Sequence, residues 1–415
     1  EDMFLAGQNR YTANQDDFGK VPGSPVAYWV QEKTFNLFDG HRVEEYFNSR
    51  VGLMTTDNDR FLRTFWEVKS SSICFTAHNN DCIYSKKRWF PHNKGGSYRK
   101  WAGNRDYVVD WENCGEKIKE TAIMKYPYLK GNPNFVVHDD GYYFHENISW
   151  SEIAVGNLAF RYYPDGFTFN VKGMSTFSKS MYSLFSILAF ANTKVADCLA
   201  HIINPSISFG VNSFGKLPFL PADEGAEQIA EKNVQLSERD WNSFETSWNF
   251  KKHPLLRNVS TISEAFNQWN SECDDRFNQL KANEEELNRI FIDIYGLQDE
   301  LTPEVEDKDV TVRKADLQRD IKSLLSYAVG CMFGRYSTYK DGLLFAGEPY
   351  SLQAFVDKMN ERPETISAEE LERAYRNEGI VVDEMFFPDA DNVIPITDEE
   401  YLDDDIVSRL CAWLK

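Results

Sequence analysis

The segment 86–105 combines cations, aromatic rings and small residues in a pattern typical of nucleic-acid binding. It holds seven Lys and Arg side chains and no carboxylate. Cations neutralise phosphates, glycine and serine allow close backbone approach, and Arg or Asn can read base edges. The candidate phosphate contacts are Lys86, Lys87, Arg88, Lys94, Arg99 and Lys100. The candidates for either phosphate or base-edge contacts are Thr55, Asn58, Asn93, Asn104 and Arg105.

The same composition has a plainer interpretation. A solvated basic loop on an acidic protein would contain the same residue types, so the sequence alone leaves both interpretations open. Trp89 and Trp101 are equally consistent with a hydrophobic core and with a DNA-facing surface.

Charge is unevenly distributed along the 415 residues. Residues 1–50 carry −3 and residues 51–225 carry +2, which leaves −19 of the net −20 for residues 226–415. Such acidity disfavours non-specific binding of nucleic acid by the chain as a whole. It favours a docking or scaffolding role for the C-terminal half.

Several catalytic and cofactor motifs are missing from the sequence. No two prolines are adjacent, so an Asn-Pro-Pro-Tyr motif cannot occur, and no two glycines have the GxG spacing of a cofactor-binding loop. Residues 210–217 resemble a phosphate loop, but Leu217 stands where a magnesium-binding Ser or Thr belongs. We expect no catalytic residue, no metal site and no bound cofactor in this chain.

The cysteines and the hydropathy indicate a cytoplasmic protein. The number of cysteines, seven, is odd and no CxxC pair occurs, which predicts free thiols in a reducing compartment. A run of about 18 apolar residues, as a membrane span requires, is absent. The best candidate, 184–203, is interrupted by Asn192, Lys194 and Asp197.

The strands and helices predicted from the sequence, which must position these residues, indicate an α+β fold in four parts. Residues 1–50 are a lead-in segment, and 51–222 form a mixed α/β domain with short strands at 107–109, 135–137, 142–144, 159–163, 167–171 and 207–211. Residues 181–203 are a helix bent near Asn192. Residues 223–340 are a helical spacer, because apolar residues recur every seven positions from Phe266 to Ile294. Its partner is a helix after Thr311, and 341–415 is an acidic, truncated C-terminal region.

Two motifs resemble the target-recognition domain of TaqI-type adenine methyltransferases. Gly52-Leu-Met-Thr-Thr-Asp-Asn-Asp-Arg-Phe61 is similar to the G-x-x-T-G-x-N-x-x-F motif at its start, with Thr56 in place of the second Gly. Asn204-Pro-Ser-Ile-Ser-Phe-Gly-Val-Asn-Ser-Phe-Gly-Lys-Leu-Pro-Phe219 is similar to its closing motif, with Gly210 in place of Gln and Asn212 in place of Gly.

Longer segments resemble the PglX family, the adenine-specific DNA methyltransferases of type 1 BREX phage-defence systems. The matching segments are 14–18, 22–29, 89–96, 240–248, 283–296 and 328–335. The resemblance implies that this chain is the C-terminal half of such an enzyme, without the methyl-donor domain. It implies methylation of adenine N6 as self-marking, with S-adenosylmethionine bound by the full-length parent.

The sequence therefore supports two hypotheses of different classes. The first is a sequence-specific DNA-recognition module that binds double-stranded DNA, whose basic patch a phage DNA-mimic inhibitor would also occupy. The second is a scaffold that docks other BREX proteins or the catalytic half. An autonomous nuclease is the least supported alternative, because residues 51–225 lack a clustered carboxylate or His motif.

Overall fold

A computed structural model describes residues 6–7, 11–78, 81–138, 140–154, 156–360, 386–398, 402 and 404–414. These residues form two small β-sheets and a larger set of helices, so the expected α+β class is confirmed. All of 361–385, part of the acidic C-terminal region, and the run Glu399–Glu400 lie outside the described residues.

The first sheet is antiparallel throughout. Its strands, in spatial order, are β1 (Phe47–Arg50), β8 (Gly173–Ser178), β5 (Asn147–Ser151) and β6 (Phe160–Tyr163). Both β5 and β8 are buried along most of their length, which is typical of strands covered on both faces.

The second sheet is mixed. Its strands, in spatial order, are β2 (Leu62–Thr64), β4 (Tyr107–Asp110), β3 (Trp89–Asn93) and β7 (Thr168–Phe169), and only β3 and β7 are parallel. The strands predicted at 107–109, 159–163 and 167–171 are confirmed, with shorter bounds for the last two. The strands predicted at 135–137 and 142–144 are wrong, because 3₁₀ turns occupy Pro133–Phe135 and Asp140–Tyr142. The predicted strand 207–211 is also wrong, since Val211 begins a helix.

Fourteen α-helices lie within the described residues and are numbered along the chain. The short N-terminal ones are α1 (Gln15–Phe18), α2 (Glu32–Asn36), α3 (Val43–Tyr46), α4 (Asn58–Phe61) and α5 (Asp81–Tyr84). Those of the middle are α6 (Glu116–Lys125), α7 (Leu184–Ala191), α8 (Lys194–Ile203) and α9 (Val211–Gly215). The C-terminal ones are α10 (Glu224–Trp241), α11 (Ile262–Tyr295), α12 (Leu317–Met332), α13 (Leu352–Asn360) and α14 (Ile406–Leu414).

The predicted bend near Asn192 is confirmed. Helices α7 and α8 meet at 77°, and both contribute buried side chains to the largest core. The break is local, because the Thr193 side chain caps α8 by accepting from the Ala196 N–H. Within the described part of the chain, no single helix is long and apolar enough to cross a membrane, although α7 and α8 together have the length and composition.

One hydrophobic core joins the first sheet to the helices that follow it. Ile148 and Trp150 of β5 lie in the same cluster as Ile187 of α7, Leu199 of α8 and Phe291 of α11. A second core lies between the two sheets and α6. The helical region therefore packs directly on the mixed α/β region.

Helix α11 is the predicted seven-spaced helix, and it has two partners. Its N-terminal half buries Trp269 and Cys273 against Leu324 and Ala328 of α12, as predicted. Its C-terminal half packs on α7, α8 and α10 instead. Ile294 is 38% exposed, because a straight helix drifts away from a strict seven-residue repeat.

The prediction that all cysteines are free thiols is wrong for one of them. Cys114 is disulfide-bonded, whereas Cys198, Cys273, Cys331 and Cys411 are free thiols.

Candidate nucleic-acid interface

The first three predicted cations lie on the surface immediately before β3. Lys86 is exposed. Lys87 is half-buried, and its ammonium donates to the Ser71 carbonyl. The Arg88 side chain is 50% exposed, and its Nε donates to Asp110 Oδ2 at 2.8 Å. All three cations therefore lie at the surface, and the Asp110 carboxylate compensates the charge of Arg88.

The strand that follows shows whether Trp89 lies in the core or on the surface. Trp89, the first residue of β3, is 6% exposed and belongs to a hydrophobic cluster, so it is a core residue. The guanidinium of Arg88 lies 5.0 Å from its ring centroid, which orients that cation along the surface.

Two of the predicted asparagines hold loops in place. Asn93 is 1% exposed, accepts from the Gly95 N–H at 2.9 Å and donates to Ser149 Oγ at 2.6 Å, which links the two sheets. Asn104 is 7% exposed and donates to the Ser97 carbonyl at 3.0 Å. Both amides therefore serve internal hydrogen bonds. Lys94 is half-buried, with its ammonium 4.4 Å from the Tyr107 ring centroid.

The last three predicted cations are buried against the helical region. Arg99 donates to Asp240 Oδ2 of α10 at 2.7 Å, and Arg105 donates to Glu238 Oε1 of the same helix at 2.7 Å. Lys100 donates to Glu284 Oε2 of α11 at 3.0 Å. None of the three is more than 8% exposed. In this structure their charges are compensated internally, so they are not positioned for phosphate contact.

Glu284 accepts hydrogen bonds from two side chains of the buried loop, those of Lys100 and Trp101. Its second oxygen accepts from the Trp101 indole N–H at 2.6 Å, and Trp101 is fully buried, which places this ring in the core as well. Burial alone would lower the pKa of Lys100, but the Glu284 carboxylate more than offsets it, so the net pKa is raised. The ammonium therefore stays charged inside the protein.

The turn between β1 and α4 carries the remaining two candidates. Thr55 is 2% exposed and its hydroxyl bonds to the side chain of exposed Asn58. Thr56 has φ +64°, the left-handed conformation that favours glycine. This explains why the resembling motif has Gly at that place. The turn forms here despite the substitution.

Gly52, the first residue of the same motif, lies so close to the Phe169 backbone that only glycine fits there. A Cβ at this position would lie 2.0 Å from the Phe169 carbonyl oxygen, which also accepts from the Leu53 N–H at 2.7 Å. This glycine fixes the second sheet next to the turn.

Helix α6 joins the surface cations to the turn, and sequence reasoning missed it. At its N-terminal end, Lys117 lies 3.9 Å from the same Asp110 oxygen that binds Arg88. At its C-terminal end, the exposed Lys125 donates to the Thr56 carbonyl at 2.7 Å. Arg88, Lys117 and Lys125 thus form a line of cations that leads along α6 toward Asn58, and Lys117 also donates to Glu112 Oε2 at 2.5 Å. The signal in the sequence was weak, because Glu112, Glu116 and Glu120 alternate with the lysines.

Exposed apolar and aromatic side chains continue this surface at the end of α6 and beyond it. Met124 is 71% exposed, Tyr128 is 64% exposed and Phe135 is 56% exposed. The Tyr128 and Phe135 rings lie 6.2 Å apart. Rings and cations on one surface provide stacking together with charge neutralisation.

A small pocket lies beside the loop after β3. Its volume is about 270 Å³ and its lining includes Gly96, Ser97, Tyr98 and Arg161. Arg161 is fully buried, and its guanidinium donates to the Arg99 carbonyl at 3.0 Å and to Ser151 Oγ at 3.2 Å. Burial lowers the pKa of Arg161. A buried guanidinium here makes the neighbouring pocket favourable for anions.

No protein-family model matches the chain. Two curated proteins do. The adenine-specific methyltransferase PglX of Lacticaseibacillus casei (strain Zhang) is 40% identical over 419 residues, an alignment that covers 97% of this chain and 32% of the relative. The adenine-specific methyltransferase BrxX of Escherichia coli O9:H4 (strain HS) is 30% identical over 420 residues, covering 97% of this chain and 31% of the relative.

The chain is related to the PglX methyltransferases. The resemblance inferred from the sequence motifs is therefore confirmed. The chain spans about a third of the length of the curated relatives it matches. Because 97% of the chain aligns with each relative, the mixed α/β region and the helical region correspond to one continuous part of both.

Proposed function

We propose that this chain is the DNA target-recognition part of an S-adenosylmethionine-dependent adenine-N6 DNA methyltransferase, used for self-marking in BREX phage defence in the bacterial cytoplasm. The observation that carries the proposal is the row of surface cations Arg88, Lys117 and Lys125, which leads along α6 toward Asn58. The relationship to adenine-specific methyltransferases supports the chemical class.

In this role the chain binds and orients DNA. Lys86, Lys87 and Lys125 neutralise backbone phosphates, which fixes the register of the duplex. Asn58 is exposed at the end of the line, where its Oδ1 accepts from the Thr55 hydroxyl, and an asparagine amide can read adenine in the major groove. The catalytic part of the enzyme would flip the adenine out of the stack.

The methyl donor does not fit the residues of this chain. Neither an Asn-Pro-Pro-Tyr motif nor a GxG loop occurs in the sequence, so no step of methyl transfer is assigned to it. S-adenosylmethionine is proposed to bind elsewhere in the parent enzyme.

Binding of this chain to a labelled random-sequence duplex tests the proposal. We expect affinity that falls steeply between about 50 mM and about 200 mM salt, because counterions are released from neutralised phosphates. The variant Lys86→Ala/Lys87→Ala/Lys125→Ala should bind more weakly, with a salt slope shallower by about three. The charge-matched control Lys232→Ala/Lys308→Ala/Lys322→Ala, on the helical region, should bind as the unmodified chain does. No binding at low salt, or an equal effect of both triples, would overturn the proposal.

The scaffold hypothesis has one observation in its favour. Tyr11, Tyr28 and Trp29 are about half exposed, at 51%, 50% and 45%, although their rings contact one another at 5.5 and 5.2 Å. Exposed aromatic clusters mark protein-interaction sites. We propose this cluster as a contact for other BREX proteins or for the catalytic part, and Tyr28→Ser/Trp29→Ser should abolish that association while duplex binding persists.

A DNA-mimic inhibitor of phage origin would compete for the cation line. We propose that an acidic protein of this kind binds where the duplex binds, because it presents charge at phosphate-like spacing. Its binding should weaken with salt and with the Lys86→Ala/Lys87→Ala/Lys125→Ala variant. Salt-insensitive binding would contradict this assignment.

A further inference from the structure

The helical region contains an open cleft of about 850 Å³ between α10, α11 and the segment that connects them. Aromatic side chains form part of its walls, including Trp248 and Trp269. Five cations line it: Arg239, Lys251, Lys252, Arg257 and Arg276. Its two carboxylates are Glu272 and Asp341.

The cleft is positive although it lies in the acidic half of the chain. Arg257 forms two hydrogen bonds to Glu272, at 2.5 and 2.8 Å, so these two charges compensate each other. Arg239, Lys251, Lys252 and Arg276 then face the single carboxylate of Asp341. Residues 246–263 contain three cations and no carboxylate, which the average over residues 226–415 conceals.

Three of the five cations of the cleft are open to solvent. Arg239, Lys251 and Lys252 are exposed, and within the described part of the chain their side chains have no ion pair. Arg276 is half-buried, lies over the Trp269 ring at 5.1 Å and donates from Nη2 to Cys273 Sγ at 3.2 Å. An oxyanion with several acceptor oxygens would satisfy the exposed donors of Arg239, Lys251 and Lys252.

The cleft is connected to the cation line by one hydrophobic cluster. Trp248, on the cleft wall, packs against Phe65 at 5.8 Å and Phe75 at 5.3 Å between ring centroids. The same cluster contains Trp89, whose ring lies under Arg88. The two cationic surfaces are therefore held in a fixed relationship by the intervening core.

We propose that this cleft binds the sugar-phosphate backbone of the duplex outside the recognised site. The inference rests on the proposed function and extends it, because it gives the acidic helical region a direct role in holding DNA. An open, cationic cleft fits a phosphate backbone better than a small molecule, which requires an enclosed and mostly apolar pocket.

The test compares two charge-matched pairs of substitutions in the full chain. The cleft variant is Lys251→Ala/Lys252→Ala, and the control is Lys308→Ala/Lys322→Ala, on exposed sites of the same region. Both pairs change the net charge equally, so any difference reports position. Binding to a labelled random-sequence duplex is measured from about 50 to about 200 mM salt.

We expect the cleft variant to lower the slope of log affinity against log salt by about 1.8, which is two phosphates at about 0.9 each, while the control leaves it unchanged. An unchanged slope in the cleft variant, together with a reduced slope for Lys86→Ala/Lys87→Ala/Lys125→Ala, overturns this inference and leaves the proposed function standing. If the unmodified chain binds no duplex, both this inference and the proposed function are wrong. If the cleft variant instead loses only an acidic protein partner, the cleft is a protein site and the inference is wrong.

Discussion

Arg99 and Asp240 are 141 positions apart in the sequence, and the Arg99 guanidinium donates to the Asp240 carboxylate at 2.7 Å. Their side chains are 7% and 0% exposed. This ion pair fixes the loop 97–105 against helix α10. A basic residue that the sequence suggested for DNA is here part of the internal structure.

Replacing Arg99 should therefore destabilise the chain without weakening DNA binding by the folded molecules. Arg99→Met leaves the Asp240 charge buried with one partner fewer, which typically costs about 3–5 kcal/mol. Urea unfolding of Arg99→Met, Asp240→Asn and the double variant should give a favourable coupling energy of about 0.5–3 kcal/mol. A stable Arg99→Met protein with reduced duplex affinity would contradict the buried role and restore Arg99 as a phosphate contact.

The burial of Arg99, Lys100 and Arg105 could not be predicted from the sequence. Arg and Lys have the same donors whether the acceptor is a phosphate or an internal carboxylate, and the three acceptors lie at least 133 positions away. The segment composition therefore identified cations but not their partners. The exposed Lys86 and Arg88 differ from them only in tertiary position.

The spacing of apolar residues along the sequence predicted the helices better than composition predicted the contacts of the cations. The apolar repeat predicted α11 and its contact with α12, because side chains three and four residues apart share a helix face. It did not predict that the polar Glu284 and Asn288 are 3% exposed. Those residues are buried because they bond to Lys100 and to the Lys194 N–H, contacts made only in the folded chain.

Thr56 should be a site where one substitution stabilises the protein. Its φ of +64° costs an L-residue about 1–2 kcal/mol, and its hydroxyl oxygen is buried without a hydrogen-bond partner among the described residues. Thr56→Gly removes both penalties but adds about 0.5–1 kcal/mol of chain entropy. We expect a net gain of about 1 kcal/mol in the free energy of unfolding, measured with urea.

The control at this position is Thr56→Ala. It removes the unpaired hydroxyl and retains the backbone conformation, so its gain should be smaller than that of Thr56→Gly. Equal stability of the two variants would show that the left-handed backbone is not the source of the penalty.

His92 should make the stability of the chain depend on pH. It is fully buried in the second sheet, where its Nδ1 lies 2.8 Å from Thr168 Oγ1. Burial, assisted by the charge of Lys94, lowers its pKa to about 3. Because the folded pKa lies below the unfolded value of about 6.5, the full stabilisation is present above pH 6.5. It is lost as the pH falls toward 3, since the unfolded chain binds a proton that the folded chain does not.

The measurement is the free energy of unfolding of His92→Gln and of the unmodified chain across this window. Between about pH 6 and pH 4, the dependence on pH should be shallower in the variant by up to about 1.4 kcal/mol per pH unit. Between about pH 7 and pH 8 the two dependences should coincide, because the ring is neutral in both states. His253, whose pKa burial lowers to about 4, provides a second test through His253→Gln, with a window that ends near pH 4. Parallel curves for His92→Gln and the unmodified chain below pH 6 would mean that the folded protein admits the proton, and that the Thr168 contact does not hold the ring neutral.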